Sequence, residues 1–476
     1  MTKTKLGRLS LRLRAAFVAL VVVATMAALV PAFAGPGQVS EIDTGPPIQL
    51  AIDASRNLLY VLQVPIKVFD LTTEQLVKTI PYSTSPGEGG ERFAVDPVLN
   101  RLFVIASPGG CGYGPSHMAV IDLSSGTQVA TLTLGQGAHD ITVNPQTGRV
   151  YVVAGCPSEV TVVDGRSASI VDHIRLAPPL DPYQYGSGIT HVAVDPTTNR
   201  LYVSFVGSSH VVVVDGTTNA QIDDIYLQSP LMDSGMLAVD SRRHRLFVLI
   251  NAPNFPTVIA IDTSNDQVLE TINLGEGSRP TWGWPQPNGI AVSELTGRVY
   301  VNNLAPFDNE FGDPGSLVTI DEATNRIVDR TPIGGYTQSP VVLPDSWRLY
   351  LGNGFYGTTV SVISEDAVAP VSTITTPDRS ILHSADKIVG TVSDDFSGVK
   401  EVDVSLTSAT GTSTSKASIS CSADLRSCSW QIPAPSIPGA YLVQVQGIDR
   451  AGSLEIAGPS TNTPAGPYKS FVVLPG

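Results

Sequence analysis

The chain has 476 residues, 42% of them hydrophobic and 15% charged, with 43 Asp plus Glu against 29 Lys plus Arg and a formal net charge of −14. Such an acidic balance, with no Lys/Arg-rich patch, repels phosphate backbones and excludes nucleic acid as a partner. Four cysteines behind an export-like start point to an oxidising compartment and paired thiols.

Residues 1–34 read as an export signal. Lys3, Lys5, Arg8, Arg12 and Arg14 precede an apolar run over 15–30, and Ala32, Phe33 and Ala34 offer a small-residue cleavage site. The run could just span a bilayer, so an uncleaved anchor is the alternative; no other segment is apolar enough, and no further membrane contact is expected. Cleavage after Ala34 would remove five positive charges and leave 29 − 5 = 24 Lys plus Arg against 43 Asp plus Glu, a net charge near −19. The mature protein is therefore expected to be secreted or held at the cell surface.

A phrase of the form apolar-x-Val-Asp-Pro-x-x-Asn-Arg-Leu-Tyr-Val then recurs seven times, anchored on Asp53, Asp96, Asn144, Asp195, Asp240, Ser293 and Asp345 at spacings of 43, 48, 51, 45, 53 and 52 residues. Periods of this size suit one four-stranded sheet each, so the expected fold is all-β, a seven-bladed β-propeller over 35–366. The apolar run before each Asp is the innermost strand and the Leu-Tyr-Val run is the second. Asp-Pro-x-x-Asn/Gly between them is turn chemistry, with Gly148, Asn199 and Gly297 able to take a left-handed backbone. The repeated Asp and Arg are accordingly read as structural, and Leu58 stands where Arg is usual. Third strands end in Val-x-Asp units such as 68–70 and 213–215, and fourth strands cover stretches such as 75–80 and 267–272. The seventh copy runs out after its third strand, near 360–363, and the stretch 38–44 resembles a fourth strand. It is expected to close the ring by pairing with the seventh copy.

Antiparallel connectivity gathers the repeated short turns on one face and the irregular loops on the other, where function is expected. Among these loops, Cys111 and Cys156 follow second strands of adjacent copies and are expected to pair. Aromatic residues stand on Pro/Gly-stiffened loops: Tyr183 and Tyr185, Trp282 and Trp284, and Phe307, all candidates for ligand contact. At the starts of inner strands stand Arg92, His139 beside Asp140, His191 and Asn288, which a radial arrangement would turn toward the central channel. These patterns require no cofactor; if the channel holds an ion, a divalent one, calcium foremost, is expected.

After a linker over 367–371 the repeat is lost. Over 372–476, turn-punctuated strands at 387–392, 399–405, 416–420, 428–431, 440–447 and 468–473 argue a β-sandwich. Cys421 and Cys428 read as the two ends of a hairpin and are expected to bridge. Asp394, Asp395 and Asp449 stand in turns at one end, where calcium is an alternative to plain turn formation.

The Tyr-Val-Asn/Thr flavour of the repeat, at Tyr300-Val301-Asn302-Asn303 and Tyr202-Val203-Ser204, resembles the YVTN-type seven-bladed propellers of bacterial and archaeal exported and surface-layer proteins, over about two thirds of the chain. The phrases Gly390-Thr391-Val392-Ser393-Asp394-Asp395 and Gly447-Ile448-Asp449-Arg450-Ala451-Gly452 resemble bacterial Ig-like modules. The first resemblance covers proteins of several roles; the export signal and the aromatic loop face lead to the expectation of a secreted or surface binding protein, non-enzymatic, whose partner is an extracellular glycan, peptide or envelope component. Two alternatives stand beside it: a metal-dependent, lactonase-like hydrolase or lyase, and a structural envelope or surface-layer component. Nothing in the sequence bears on the oligomeric state.

Overall fold

A computed structural model describes residues 37–83, 90–109, 112–156, 158–176, 188–227, 235–250, 256–275, 287–303, 315–334, 337–353, 357–366, 368–455 and 468–474. The expected export segment lies outside the described residues.

Between Gly37 and Ser364 all the described regular structure is strand, arranged as seven four-stranded antiparallel sheets. Six sheets use four consecutive strands each and begin with Gln49–Asp53, Gly90–Asp96, Gln136–Asn144, Ile189–Asp195, Met236–Asp240 and Pro287–Ser293; they are numbered one to six in that order. The seventh begins with Val341–Leu343 and takes its outer strand, Gly37–Asp43, from the start of the described chain. That strand pairs with Thr359–Ser364, with Ile42 opposite Val360. First strands of consecutive sheets touch, and Val341–Leu343 touches Gln49–Asp53, so the ring closes. The architecture is a β-propeller.

Second strands such as Arg200–Phe205 and Arg245–Ile250 are almost wholly buried. Both of their faces are covered by neighbouring sheets, which is why they read as continuous apolar runs. Each gap between sheets carries its own cluster: Tyr202, Leu246, Val248 and Ile259 fill the one between sheets four and five. Ile42, Leu50, Leu59, Tyr350 and Val360 fill the closing gap between sheets seven and one. Trimming one such side chain to Ala costs roughly 2–5 kcal/mol.

The seventh repeat departs from its sequence reading. Leu343 pairs with Arg348, as Asp96, Asp195 and Asp240 pair with Arg101, Arg200 and Arg245. Asp345, taken as the anchor by sequence, lies within the turn at a φ of 57°. Leu343 stands at the same spacing from Arg348 as Asp96 from Arg101 and joins the closing core, so the paired position follows the spacing to the Arg and not the acid. Leu58 has a different remedy: Arg56, in the turn, donates to Asp53 Oδ2 at 2.7 Å and to the Pro97 carbonyl of sheet two at 3.0 Å.

Nine strands from Val371 to Val473 form a four-stranded and a five-stranded sheet. Ile388, Val392, Trp430 and Ile432 of one and Val402, Val404, Val443 and Phe471 of the other share a single core, so the unit is a two-sheet sandwich. The stretch read as one strand over 416–420 is two. Gly411–Lys416 pairs in the larger sheet and Ser418–Cys421 in the smaller. The switch falls at Ala417, which packs on the core while its N–H donates to the Val402 carbonyl. Cys421 and Cys428 are direct cross-strand partners and are bridged.

Candidate functional site

The two ends of the ring are built differently. Each first strand passes to its second through a four-residue turn, at 54–57, 97–100, 145–148, 196–199, 241–244, 294–297 and 344–347. In six of these the last residue has positive φ: Asn57, Asn100, Gly148, Asn199, His244 and Gly297, between 54° and 71°. The Asp before the turn is buried and caps it; Asp195 Oδ1 accepts the Thr197 N–H at 2.8 Å, and Asp96 Oδ1 accepts Val98 and Leu99 N–H at 2.9 Å. The repeated Arg residues stitch sheets together: Arg101 donates to the Gly165 carbonyl at 2.7 Å and Arg200 to that of Thr263 at 3.0 Å. At the other end, connections run from two residues, 157–158, to thirteen, 176–188.

Inner strands begin at this irregular end, and their register creates a ring. The residue four places before each strand-ending position is Gln49, Arg92, Asp140, His191, Met236, Gly289 and Ser339 in sheets one to seven; the first six pair with the fifth residue of their second strand. Sheets one to four thus present a polar arc at the mouth of the channel, while sheets five to seven present Met, Gly and Ser. A Cβ on Gly289 would come within 2.4 Å of the Ser339 Cα, so close approach of sheet seven requires glycine there.

Side chains of the arc reach across the gaps. Gln49 Oε1 accepts the Phe93 N–H of sheet two at 2.7 Å, and Asp140 Oδ2 accepts the Val192 N–H of sheet four at 3.0 Å. Asp140 also faces His191 Nδ1 at 3.2 Å, their side chains being 18% and 15% exposed. Burial pushes the Asp140 carboxyl up, but the hydrogen bond and charge of His191, the Val192 N–H and the charge of Arg92 together hold it below its ordinary value. With Nδ1 engaged by the carboxylate, Nε2 is the His191 nitrogen left to meet a ligand.

The structure therefore joins Arg92, Asp140 and His191 in one arc and adds Gln49, which carried no motif and emerges only from the register. His139 is a bulge residue next to the arc, its Nδ1 2.7 Å from the Gly137 carbonyl. Asn288 lies at the equivalent bulge of sheet six, its side chain outside the described ones. Such bulges re-aim side chains. Tyr183, Tyr185, Trp282, Trp284 and Phe307 lie outside the described residues. Cys156 is disulfide-bonded, and Cys111, its expected partner, also lies outside them.

Among the described residues, the one group of three His, Cys, Asp or Glu ligand atoms within 4.8 Å of one another is Asp366, Asp394 and Asp395, at the end of the propeller. An acid–imidazole contact is not peculiar to the mouth: His210 meets Asp224 at 2.9 Å and His173 meets Glu159 at 3.0 Å on outer strands. Such pairing is a recurrent structural device here.

No protein-family model matches the chain, and no curated protein matches it by sequence. Solved structures are similar in fold. The β-propeller domain of Myceliophteria thermophila Cps50 (Swd1) shares 11% identity at a TM-score of 0.52, over 68% of this chain and 98% of that one. Kuenenia stuttgartiensis hydrazine synthase shares 15% at 0.52, over 69% and 98%. Chaetomium thermophilum Raptor shares 13% at 0.51, over 69% of this chain and 29% of that one. At such identities the likeness carries the propeller fold and nothing of function.

Proposed function

We propose that the protein is an exported, non-enzymatic binding protein of the secreted or cell-surface kind, a YVTN-type seven-bladed propeller followed by an Ig-like spacer, which takes an extracellular glycan, peptide or envelope component on its irregular face. The observation that carries this reading is the polar arc of Gln49, Arg92, Asp140 and His191 at the channel mouth, on the face whose connections vary in length and carry the aromatic residues. Hydrogen-bonding side chains beside aromatic surface suit sugars and peptides, which need both stacking area and directional bonds. The closed ring of sheets supplies a rigid frame for such loops.

A lactonase-like, metal-dependent activity has one observation in its favour, the Asp140–His191 contact at the mouth. The three-donor set that a catalytic ion needs is not formed there among the described residues, so binding is the better-supported reading. The deciding experiment screens the protein on glycan and peptide arrays and on a lactone panel. Binding lost in Trp282→Ala, Trp284→Ala and Arg92→Ala variants that melt normally is the expected result. Turnover of a lactone abolished by His191→Ala overturns it, and so does the absence of any ligand on the arrays.

A further inference from the structure

Where the propeller ends, three turns converge. Asp366, two residues past the last propeller strand, is buried and accepts the Ser397 N–H on Oδ2 at 2.8 Å; its carbonyl accepts the Ser453 hydroxyl at 3.0 Å. Phe396, in the same sandwich turn as Ser397, stacks edge-on against Trp347 with ring centroids 5.4 Å apart and lies under the Arg298 guanidinium, 5.2 Å from its centroid. Both of those residues belong to the propeller, so the 394–398 turn is its docking element.

The carboxylates gathered here are poorly compensated. Asp394 uses Oδ2 to accept Phe396 and Gly398 N–H at 3.1 and 2.6 Å, which leaves Oδ1 with no partner although the residue is only 6% exposed. Asp449 is fully buried; Oδ1 accepts the Ser453 N–H at 2.7 Å and Oδ2 has no partner. The Asp366 and Asp394 charges both reach Asp449. Asp395 is exposed and feels Arg426, but among the described residues no Lys or Arg is ion-paired with any of the four. Ligand oxygens of Asp366, Asp394 and Asp395 lie within 4.8 Å of one another, and a buried carboxylate oxygen without a donor, as Asp394 Oδ1 is, is costly unless a cation meets it.

We propose that Asp366, Asp394 and Asp395, whose ligand oxygens lie within 4.8 Å of one another, hold a calcium ion, and that this ion fastens the sandwich to the propeller. Donors that are all carboxylate oxygens select a hard cation over zinc or copper. Three carboxylates at one point favour calcium over magnesium, which keeps most of its water and takes one or two. The ligands come from both sides of the junction: Asp366 from the propeller's end, Asp394 and Asp395 from a sandwich turn. Binding of the ion is then coupled to docking. This site is separate from the channel mouth and does not depend on the function proposed for it.

The test strips the full-length protein with chelator and titrates calcium chloride and magnesium chloride by calorimetry, with melting curves alongside. One calcium per chain, a rise in melting temperature with calcium and none with magnesium are expected. Asp395→Asn, at an exposed position where folding is not at stake, is expected to melt as wild type in chelator while losing about tenfold or more in calcium affinity. Asp394→Asn is expected to abolish the calcium-dependent rise. Failure to bind calcium at millimolar concentration, equal binding of magnesium, or wild-type affinity in Asp395→Asn would each overturn the assignment.

Discussion

The two faces of the propeller are made from the same strands and obey different rules. On one, seven four-residue turns join the same two strands, six of them closed by a left-handed residue and four preceded by a buried Asp. On the other, connections run from two residues to thirteen, and side chains at one register position change from Gln, Arg, Asp and His to Met, Gly and Ser around the ring. Repetition marks the positions that folding constrains, and variation marks those it leaves available for recognition. The contrast predicts that damage to the repeated features is read in stability and damage to the irregular face in binding.

The ring-closing strand should give the largest effect. Without Gly37–Asp43, the pairing with Thr359–Ser364 and the burial of Ile42 in the closing core are lost, and the outer edge of sheet seven is exposed. Deletion of 37–43 is expected to lower the melting temperature by about 10 °C or more, whereas removal of Gly35 and Pro36 leaves it unchanged. Coincident melting curves for the two truncations would show that the ring does not depend on this closure.

An intermediate effect is expected at Glu322, on the repeated face. Its N–H donates to the Gly297 carbonyl, as those of Leu71 and Leu123 donate to Asn57 and Asn100. The three residues hold one structural position, yet Glu322 is a buried acid with both carboxylate oxygens unpartnered. Burial, reinforced by Asp240 and partly offset by Arg243, pushes it up to about 8. Its folded value therefore lies above its unfolded one, so the folded state holds the proton more tightly. Stability is full below the ordinary Glu range and falls as pH rises toward 8. Glu322→Leu should leave the melting temperature at pH 5 little changed and raise stability at pH 8 by on the order of a few kcal/mol. A variant that loses ligand binding, or melts lower at pH 8, would show that this face is more than scaffold.

Much of the fold was legible in the chain because a propeller repeats its own evidence. Seven copies of one phrase fix strand order, and an incomplete last copy points to a partner at the other end. What escaped was local. Leu343, at the usual spacing from Arg348, holds the paired position and buries in the closing core where the other copies hold a polar residue, and the strand read over 416–420 splits because Ala417 turns from one sheet to the other. The site was less legible. Arg92, His139, His191 and Asn288 stood out as polar residues at strand starts, but the bulges in sheets two, three, four and six set which of them share a ring. Bulges leave little trace in sequence, so Gln49, equivalent to Arg92 and Asp140 by register, carried no signal of its own.

The smallest expected effect compares the faces at single hydrogen-bonding side chains. Asp195 is fully buried and accepts both the N–H and the hydroxyl of Thr197, at 2.8 and 2.7 Å; Asp195→Ala removes both bonds and the turn cap and is expected to cost roughly 2 kcal/mol. Gln49 makes one such bond, to Phe93 N–H, from a half-buried position that water can reach, and Gln49→Ala is expected to cost about 1 kcal/mol or less. Denaturant midpoints measured on both variants decide the matter. A larger loss at Gln49 than at Asp195 would mean that the mouth arc holds the ring together, and its polar side chains would then be explained by stability, leaving the aromatic loops alone to account for recognition.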